Sequence, residues 1–423
     1  MTTAAVAPAG PPLSEEPRIL DRFAEDLAHA GVVGEERAGK LLYLAVTSRL
    51  LDRPVCVLVK APSSAGKSFT VEKVLTFFPP GAYLSRTAMS ERVLAYTDES
   101  LKNRVLVLYE AGGISGEMGT YLVRSLVSEG RINYEVVERV RGQFRTRHIN
   151  KEGPTGLIMT TTAVHLHPEN ETRMLSVSVN DTPAQTREIL LATAEEFERL
   201  SGPCKMRRVE LTEWHQLQLW LVGADHRVAV PYASALAKLV PPSALRLRRD
   251  LRVVLTLVQA SALLHQTTRS RDSEGRIFAS LDDYATVRSL VADLIADGIE
   301  SSVPASVRET VEAVRDLLRD TPGRLVEGYR PLAERLRLDK SAVARRVQQA
   351  IERGYLVNHQ ERAGRPVWLA LGEPLPEDKD LLPTVEVLAE AVRCCSVAGV
   401  SGGKGEEKAN PTPTQPNVEV IEV

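Results

Sequence analysis

The stretch VKAPSSAGKSFT, residues 59–70, is a run of small residues that ends in Gly-Lys-Ser and follows an apolar segment. Ala61 to Ser68 has the spacing of a phosphate-binding loop, with alanine in place of the usual first glycine. The chemistry needs this layout. Small residues let backbone N–H groups curl around phosphates, Gly66 permits a tight turn, and a helix starting near Lys67 turns its positive dipole end toward the anion. In this reading Ala61, Pro62, Ser63, Ser64, Ala65, Gly66, Lys67, Ser68 and Phe69 contact ATP. Lys67 reaches the β- and γ-phosphates and Ser68 ligates Mg²⁺. The bland alternative is a Gly/Ser turn before a helix, against which stand the preceding strand, the following helix and the Gly-Lys-Ser phase.

The segments around this loop alternate. VCVLVK, RVLVLYE, GLIMTTT and LSVSV read as short strands, with helices from Lys67 and near 118–129 between them. That order predicts an α/β fold with a parallel sheet covered by helices on both faces. VLVLYEAGG, residues 105–113, gives the second expected catalytic element: an apolar strand ending in Tyr109 and Glu110. Many P-loop ATPases end this strand in Asp-Glu. Here Tyr109 stands where the aspartate would be, and Glu110 is the candidate general base and a candidate Mg²⁺ neighbour.

The chain has 423 residues, 43% apolar and 26% charged, with a formal net charge of −2. Nucleic-acid binding would therefore have to come from local basic patches. No apolar run is long enough to span a bilayer. The Pro/Ala-rich residues 1–17 lack the pattern of a secretory signal and read as a loose leader. Cys56, Cys204, Cys394 and Cys395 lack Cys-x-x-Cys spacing, which argues against a zinc site or disulfide framework and for a reducing cytoplasm. The expected divisions are an ATPase core over 18–200, a helical region over 201–303, a compact unit over 304–372 and a disordered tail over 373–423.

With these motifs in order, the chain resembles AAA+ ATPases over roughly residues 20–300. It is most similar to the branch with a β-hairpin before the sensor-1 strand, which includes the minichromosome-maintenance helicases. The resemblance is carried by the helix at Tyr121–Ser128, two β-like arms turning near Arg141-Gly142, the GLIMTTT strand and ETRMLSVSV. It implies that Thr162, with Thr161 next, is the polar sensor touching the γ-phosphate or attacking water. It implies that Arg173 is supplied to a neighbouring subunit's ATP, and that Arg249, with Arg248 as a rival, is the sensor arginine of a helical lid. A self-associated ring follows from the resemblance, expected to be hexameric, with a primase as a further candidate partner.

Two basic sites suggest what hydrolysis acts on. The arms at 131–151 carry six Lys/Arg against two Glu, and Arg139, Arg141, Arg145 and Arg147 are candidates to grip a DNA strand in the ring's channel. A solvated hairpin is the alternative. Residues 329–372 look like a winged helix-turn-helix. Asp339 suits an N-cap, Val343, Val347, Ala350 and Ile351 form an apolar face, and Gly354 suits a helix stop. Ser341, Arg345, Arg346 and Gln349 on the other face, with Arg362 and Arg365 on the wing, are candidate contacts to duplex DNA. Such modules also bind proteins. The expected function is an ATP-driven DNA helicase or translocase in replication of a bacterial, plasmid or phage-like element. A nucleotide-responsive transcription regulator is the second reading and a protein remodeller the third.

Overall fold

The computed structural model describes residues 10–400 except 64, 91–92, 111–115, 141–142, 163–172, 181, 201–208, 243–245, 301–302, 321–324, 361, 363–364 and 376–380. Ser64 and Arg141 lie outside the described residues.

Helices α1 (Ile19–His29) and α2 (Glu36–Thr47) precede strand β1 (Val57–Lys60), and α3 (Lys67–Thr76) follows it. Next come β2 (Tyr83–Arg86), α4 (Val93–Tyr96), β3 (Arg104–Leu108) and α5 (Gly116–Glu129). A long antiparallel hairpin, β4 (Ile132–Val140) and β5 (Gln143–Lys151), leads to β6 (Thr155–Thr161) and β7 (Leu175–Ser178). The five strands β2-β3-β6-β1-β7 form one parallel sheet in that order. β6 therefore separates β1, which feeds the Gly-Lys-Ser loop, from β3, which ends at Glu110.

The sheet is buried on both faces, as expected for parallel strands. The two-residue side-chain period sends Val57, Val59, Val105, Val107 and Ile158 into one core, with α1, α2 and α3. It sends Leu58, Leu106, Leu108, Leu157 and Met159 into the other, with Leu122, Val123 and Leu126 of α5 and the hairpin base residues Ile132 and Ile149. Strand β2 escapes the apolar pattern because Tyr83–Arg86 is an edge strand with no fully buried residue.

Beyond β7 the chain is mostly helical: α6 (Pro183–Leu200), α7 (Leu211–Gly223), α8 (Ala233–Leu239), α9 (Leu247–Leu264) and α10 (Leu281–Glu300), with two-residue strands β8 (Val228–Ala229) and β9 (Ile277–Phe278). This region shares the first core. Trp214 is the joint. Its ring packs edge-on against Phe23, Tyr43 and Phe77, and its Nε1 donates to Asp26 at 3.1 Å. Buried Arg49 adds a polar link, donating from Nη1 to Gln218 Oε1 at 2.9 Å and to the Val46 carbonyl at 3.1 Å.

The last unit has its own core. It comprises α11 (Ala305–Asp320), α12 (Arg330–Leu336), α13 (Lys340–Glu352) and an antiparallel sheet in the order β10 (Val326–Glu327), β12 (Trp368–Leu371), β11 (Leu356–Asn358). Asp339 caps α13, accepting from the N–H groups of Ser341 and Ala342 at 2.9 Å each. Gly354 sits at φ +80° just past the helix.

Described parts of the leader and of the tail depart from the expected disorder. In the leader, Leu13 and Ser14 are buried within a 3₁₀ turn over Pro12–Glu15. In the tail, α14 (Val385–Val400) forms, with Leu381, Leu382 and Leu388 buried in the first core. Tyr284 donates its hydroxyl to the Pro383 carbonyl at 2.7 Å, and Arg288 Nε donates to the Leu382 carbonyl at 3.2 Å. Burial of these leucines on the helical region outweighs a composition that by itself reads as loose.

Candidate functional site

Parallel strands end at one edge, so the loop after β1, the end of β3 and the end of β6 meet there. Gly66 caps α3 in the left-handed region, at φ +82°. A side chain at this φ is strained, which is why glycine holds the position. Lys67 is buried at 5% exposure and its Nζ donates to the Pro62 carbonyl at 3.1 Å. Ala65 N also donates to that carbonyl, at 3.3 Å, closing the turn. Ala61 N donates to the Thr161 carbonyl at 3.3 Å, joining the loop to β6. Pro62 and Ser63 are exposed, Ser68 is half-buried on the first turn of α3, and Phe69 is exposed with Lys73 Nζ 5.2 Å from its ring centre.

Glu110 follows β3 at φ +67°, one of few non-glycine residues in the left-handed region. Such backbone strain persists only where neighbours hold it. Here Glu110 N donates to Thr160 Oγ1 at 3.0 Å. Thr160 is fully buried and Thr161 nearly so, while Thr162 lies exposed just past β6. The residue of the threonine run that touches the Glu110 backbone is therefore Thr160, which the sequence pattern did not single out. Only strand register could have revealed it: Leu108 pairs with Met159, which sets Thr160 beside the chain leaving β3.

Tyr109 is half-buried and bonds through its side chain to Ser85. Burial pushes its phenol up to about 12, with the Ser85 bond opposing, so a neutral hydroxyl stands at this position. Ser68 and Glu110 supply hard oxygen donors at the same sheet edge, a set that suits Mg²⁺, which keeps several waters and phosphate oxygens as ligands. No group of three or more His, Cys, Asp or Glu able to cage a metal occurs among the described residues.

A second flank of the loop comes from the α1–α2 turn. A side-chain carbon at Gly31 would lie 3.8 Å from the Phe69 ring. Glu35 Oε1 accepts from Asn180 N at 2.8 Å and Gln185 Nε2 at 2.9 Å, and Gln185 Nε2 also donates to the Val33 carbonyl at 2.9 Å. Burial raises the Glu35 carboxyl, with the two hydrogen bonds opposing. This turn joins α2, β7 and α6 beside the loop, through contacts about 145–150 residues apart that no local motif signals.

Arg173 is not at this edge. β7 runs parallel to β1 with Leu175 opposite Val57 and Ser178 opposite Lys60, so Arg173 precedes the strand at the far edge. Strand rise puts it on the order of 20 Å from its own chain's loop. Its Nη1 donates to Ser128 Oγ, near the end of α5. The hairpin base lies at the same far edge, because β5 leads into Thr155, which pairs with Arg104 at the start of β3. Arg249 is exposed on the first turn of α9. Its neighbour Arg246 is the half-buried arginine, bonded to Asp250 Oδ2 at 3.2 Å and to the Gly298 carbonyl at 3.2 Å.

The hairpin arginines do not form one stripe. Arg139 lies on one face, opposite Phe144, while Arg145 and Arg147 lie on the other. The guanidinium of Arg147 is 5.7 Å from the Tyr96 ring centre. In the C-terminal unit, Ser341, Arg345 and Gln349 are exposed along one stripe of α13. Arg346 differs from expectation: it turns toward α11 and donates to Glu309 Oε2 at 2.9 Å. Arg362 and Arg365 are exposed in the β11–β12 connection.

A cleft of about 600 Å³, bordered by Arg53, His226, Arg227 and Arg252, contains none of these residues. No described helix is long and apolar enough to cross a membrane. Compared with known protein families and with curated proteins, the chain returns no match.

Proposed function

We propose that the chain is an ATP-hydrolysing, DNA-binding motor of the AAA+ class, acting as a helicase or translocase. The observation that carries the reading is the strand order: with β6 between β1 and β3, the Gly-Lys-Ser loop, the threonine run and Glu110 share one edge, while Arg173 and the hairpin share the other. An arginine about 20 Å from its own loop serves that loop's chemistry only in an adjoining copy. A head-to-tail ring supplies that geometry.

In this reading the triphosphate takes over the Lys67 ammonium from the Pro62 carbonyl and meets the backbone N–H groups of Gly66, Lys67 and Ser68 at the start of α3. Ser68 holds Mg²⁺, which supplies charge neutralisation at the phosphates when bound. Glu110 orients the attacking water, and Thr160 fixes Glu110 through its backbone. Arg173 of the adjoining copy stabilises charge on the transferring group, an effect worth roughly 10³–10⁵ in rate. The α1–α2 turn beside Phe69 borders the base. The helical region of 211–300 serves as lid, and the C-terminal unit acts as a winged helix presenting Ser341, Arg345 and Gln349 to a duplex.

The test is ATP turnover with single-stranded DNA titrated in, for wild type, Lys67→Ala and Arg173→Ala. Stimulation by DNA, loss in both variants and partial recovery on mixing them are expected. An undiminished rate in Lys67→Ala rejects the reading. One observation favours a second reading, a nucleotide-responsive regulator with slow turnover: the neutral Tyr109 phenol where a metal-shell carboxylate is usual. Sequence-specific duplex binding that survives loss of hydrolysis would select it.

A further inference from the structure

The far end of the hairpin carries an aromatic residue that the core does not need. Phe144 is 77% exposed, the highest value among the large apolar side chains described as exposed. It pairs directly across the strands with Arg139, whose guanidinium lies 5.9 Å from the ring centre. Val137, two residues before Arg139 on the same face, is 64% exposed. The opposite face behaves differently: Ile132 and Ile149 at the base are buried, with Tyr134 and Val136 packed on the same core. The hairpin is thus rooted by one face and presents Val137, Arg139 and Phe144 on the other, about 20 Å beyond its base by strand rise.

We infer that Phe144, backed by Arg139, is a stacking platform for a base of single-stranded nucleic acid. The inference rests on the proposal that the hairpin meets a strand, and adds that it reads the bases as well as the phosphates. Arg139 on the face of Phe144 and Arg145 on the reverse face, both exposed, complement a polyanion, and an aromatic ring beside Arg139 suits an unpaired base, whose π-face is open. A duplex hides those faces within its stack, so the platform selects single strands.

The test is fluorescence anisotropy of the full chain with a labelled oligothymidylate and with an abasic oligonucleotide of equal length. Phe144→Ala should weaken oligothymidylate binding about tenfold or more and leave abasic binding unchanged, since one stacked base accounts for a factor of that order. Phe144→Trp should retain wild-type affinity. Arg145→Ala should weaken both ligands and flatten the salt dependence. The same titration with oligouridylate tells a DNA strand from an RNA strand, and the Phe144→Ala loss is expected on whichever binds. Unchanged melting of the variants shows that the fold is intact. Equal binding of wild type and Phe144→Ala to oligothymidylate, with a loss in Arg145→Ala, overturns the platform but leaves the strand-binding hairpin. Absence of wild-type binding to any single strand overturns both. If Phe144→Ala instead dissociates an oligomer in light scattering without changing strand affinity, the face is a protein contact and the inference fails.

Discussion

The hydroxyl of Thr160 accepts the backbone N–H of Glu110 at 3.0 Å, tying the end of β3 to β6 where the chain enters a left-handed turn. Thr160→Val keeps the shape of the side chain and removes the acceptor. It should cost about 0.5–1.5 kcal/mol in denaturant melts, because a part-buried hydrogen bond is lost. If Glu110 is the base, turnover should fall on the order of 10²-fold through misplacement while MgATP affinity stays unchanged. Thr160→Ser should restore both.

Gly66 and Lys67 separate fold from ligand. A side-chain carbon at Gly66 would meet nothing within 4 Å, yet its φ is +82°. Gly66→Ala should therefore cost about 1–2 kcal/mol from backbone strain alone. Lys67→Ala should abolish the thermal shift by MgATP, which in wild type corresponds to about 2.7 kcal/mol at a hundredfold excess over Kd.

Tyr109→Phe should leave Mg²⁺ dependence unchanged and cost about 1 kcal/mol from loss of the Ser85 hydrogen bond. Tyr109→Asp should lower the Mg²⁺ concentration needed for half-maximal turnover by adding a carboxylate beside Glu110 at the end of β3. Metal titrations of both variants check this.

Asp283 is buried and accepts from Arg269 Nε at 2.8 Å, Ser261 Oγ at 2.8 Å and Ser280 N at 2.8 Å. Burial by itself would raise its carboxyl, but the hydrogen bonds and charge of Arg269 outweigh it and hold the group below the ordinary value of 3.8. A lowered folded pKa contributes stability that is full above 3.8 and lost as pH falls below it toward the folded value. Asp283→Asn should cost about 3–5 kcal/mol at pH 7, since Arg269 is left half-buried without its counter-charge. The gap to wild type should narrow in urea melts as pH falls below 3.8.

Leu388 is fully buried where α14 docks on the helical region. Leu388→Ala should lower stability by about 2–5 kcal/mol, and removal of residues 381–423 should do at least as much. Guanidinium midpoints measure both. A tail that contributes nothing to the core would show no change.

Local chemistry made much of this chain legible. The alternating strands, the Gly66 turn, the Asp339 cap and the Gly354 stop each depend on residues within a few positions of one another. Compositional reading failed at residues 10–17 and 381–400. Three buried leucines decide whether α14 docks, and composition does not say where they land.

The sequence alone determined the apolar strands, the helices beside them and the Gly66 turn before α3, because backbone preference and side-chain period act over a few residues. Tertiary structure alone decided the neighbours. It put β6 between β1 and β3, chose Thr160 to hold Glu110, drew Arg346 onto Glu309 and split the hairpin's arginines between two faces. Those outcomes depend on strand order and register between distant segments, which non-local pairing and burial fix only once the chain has folded.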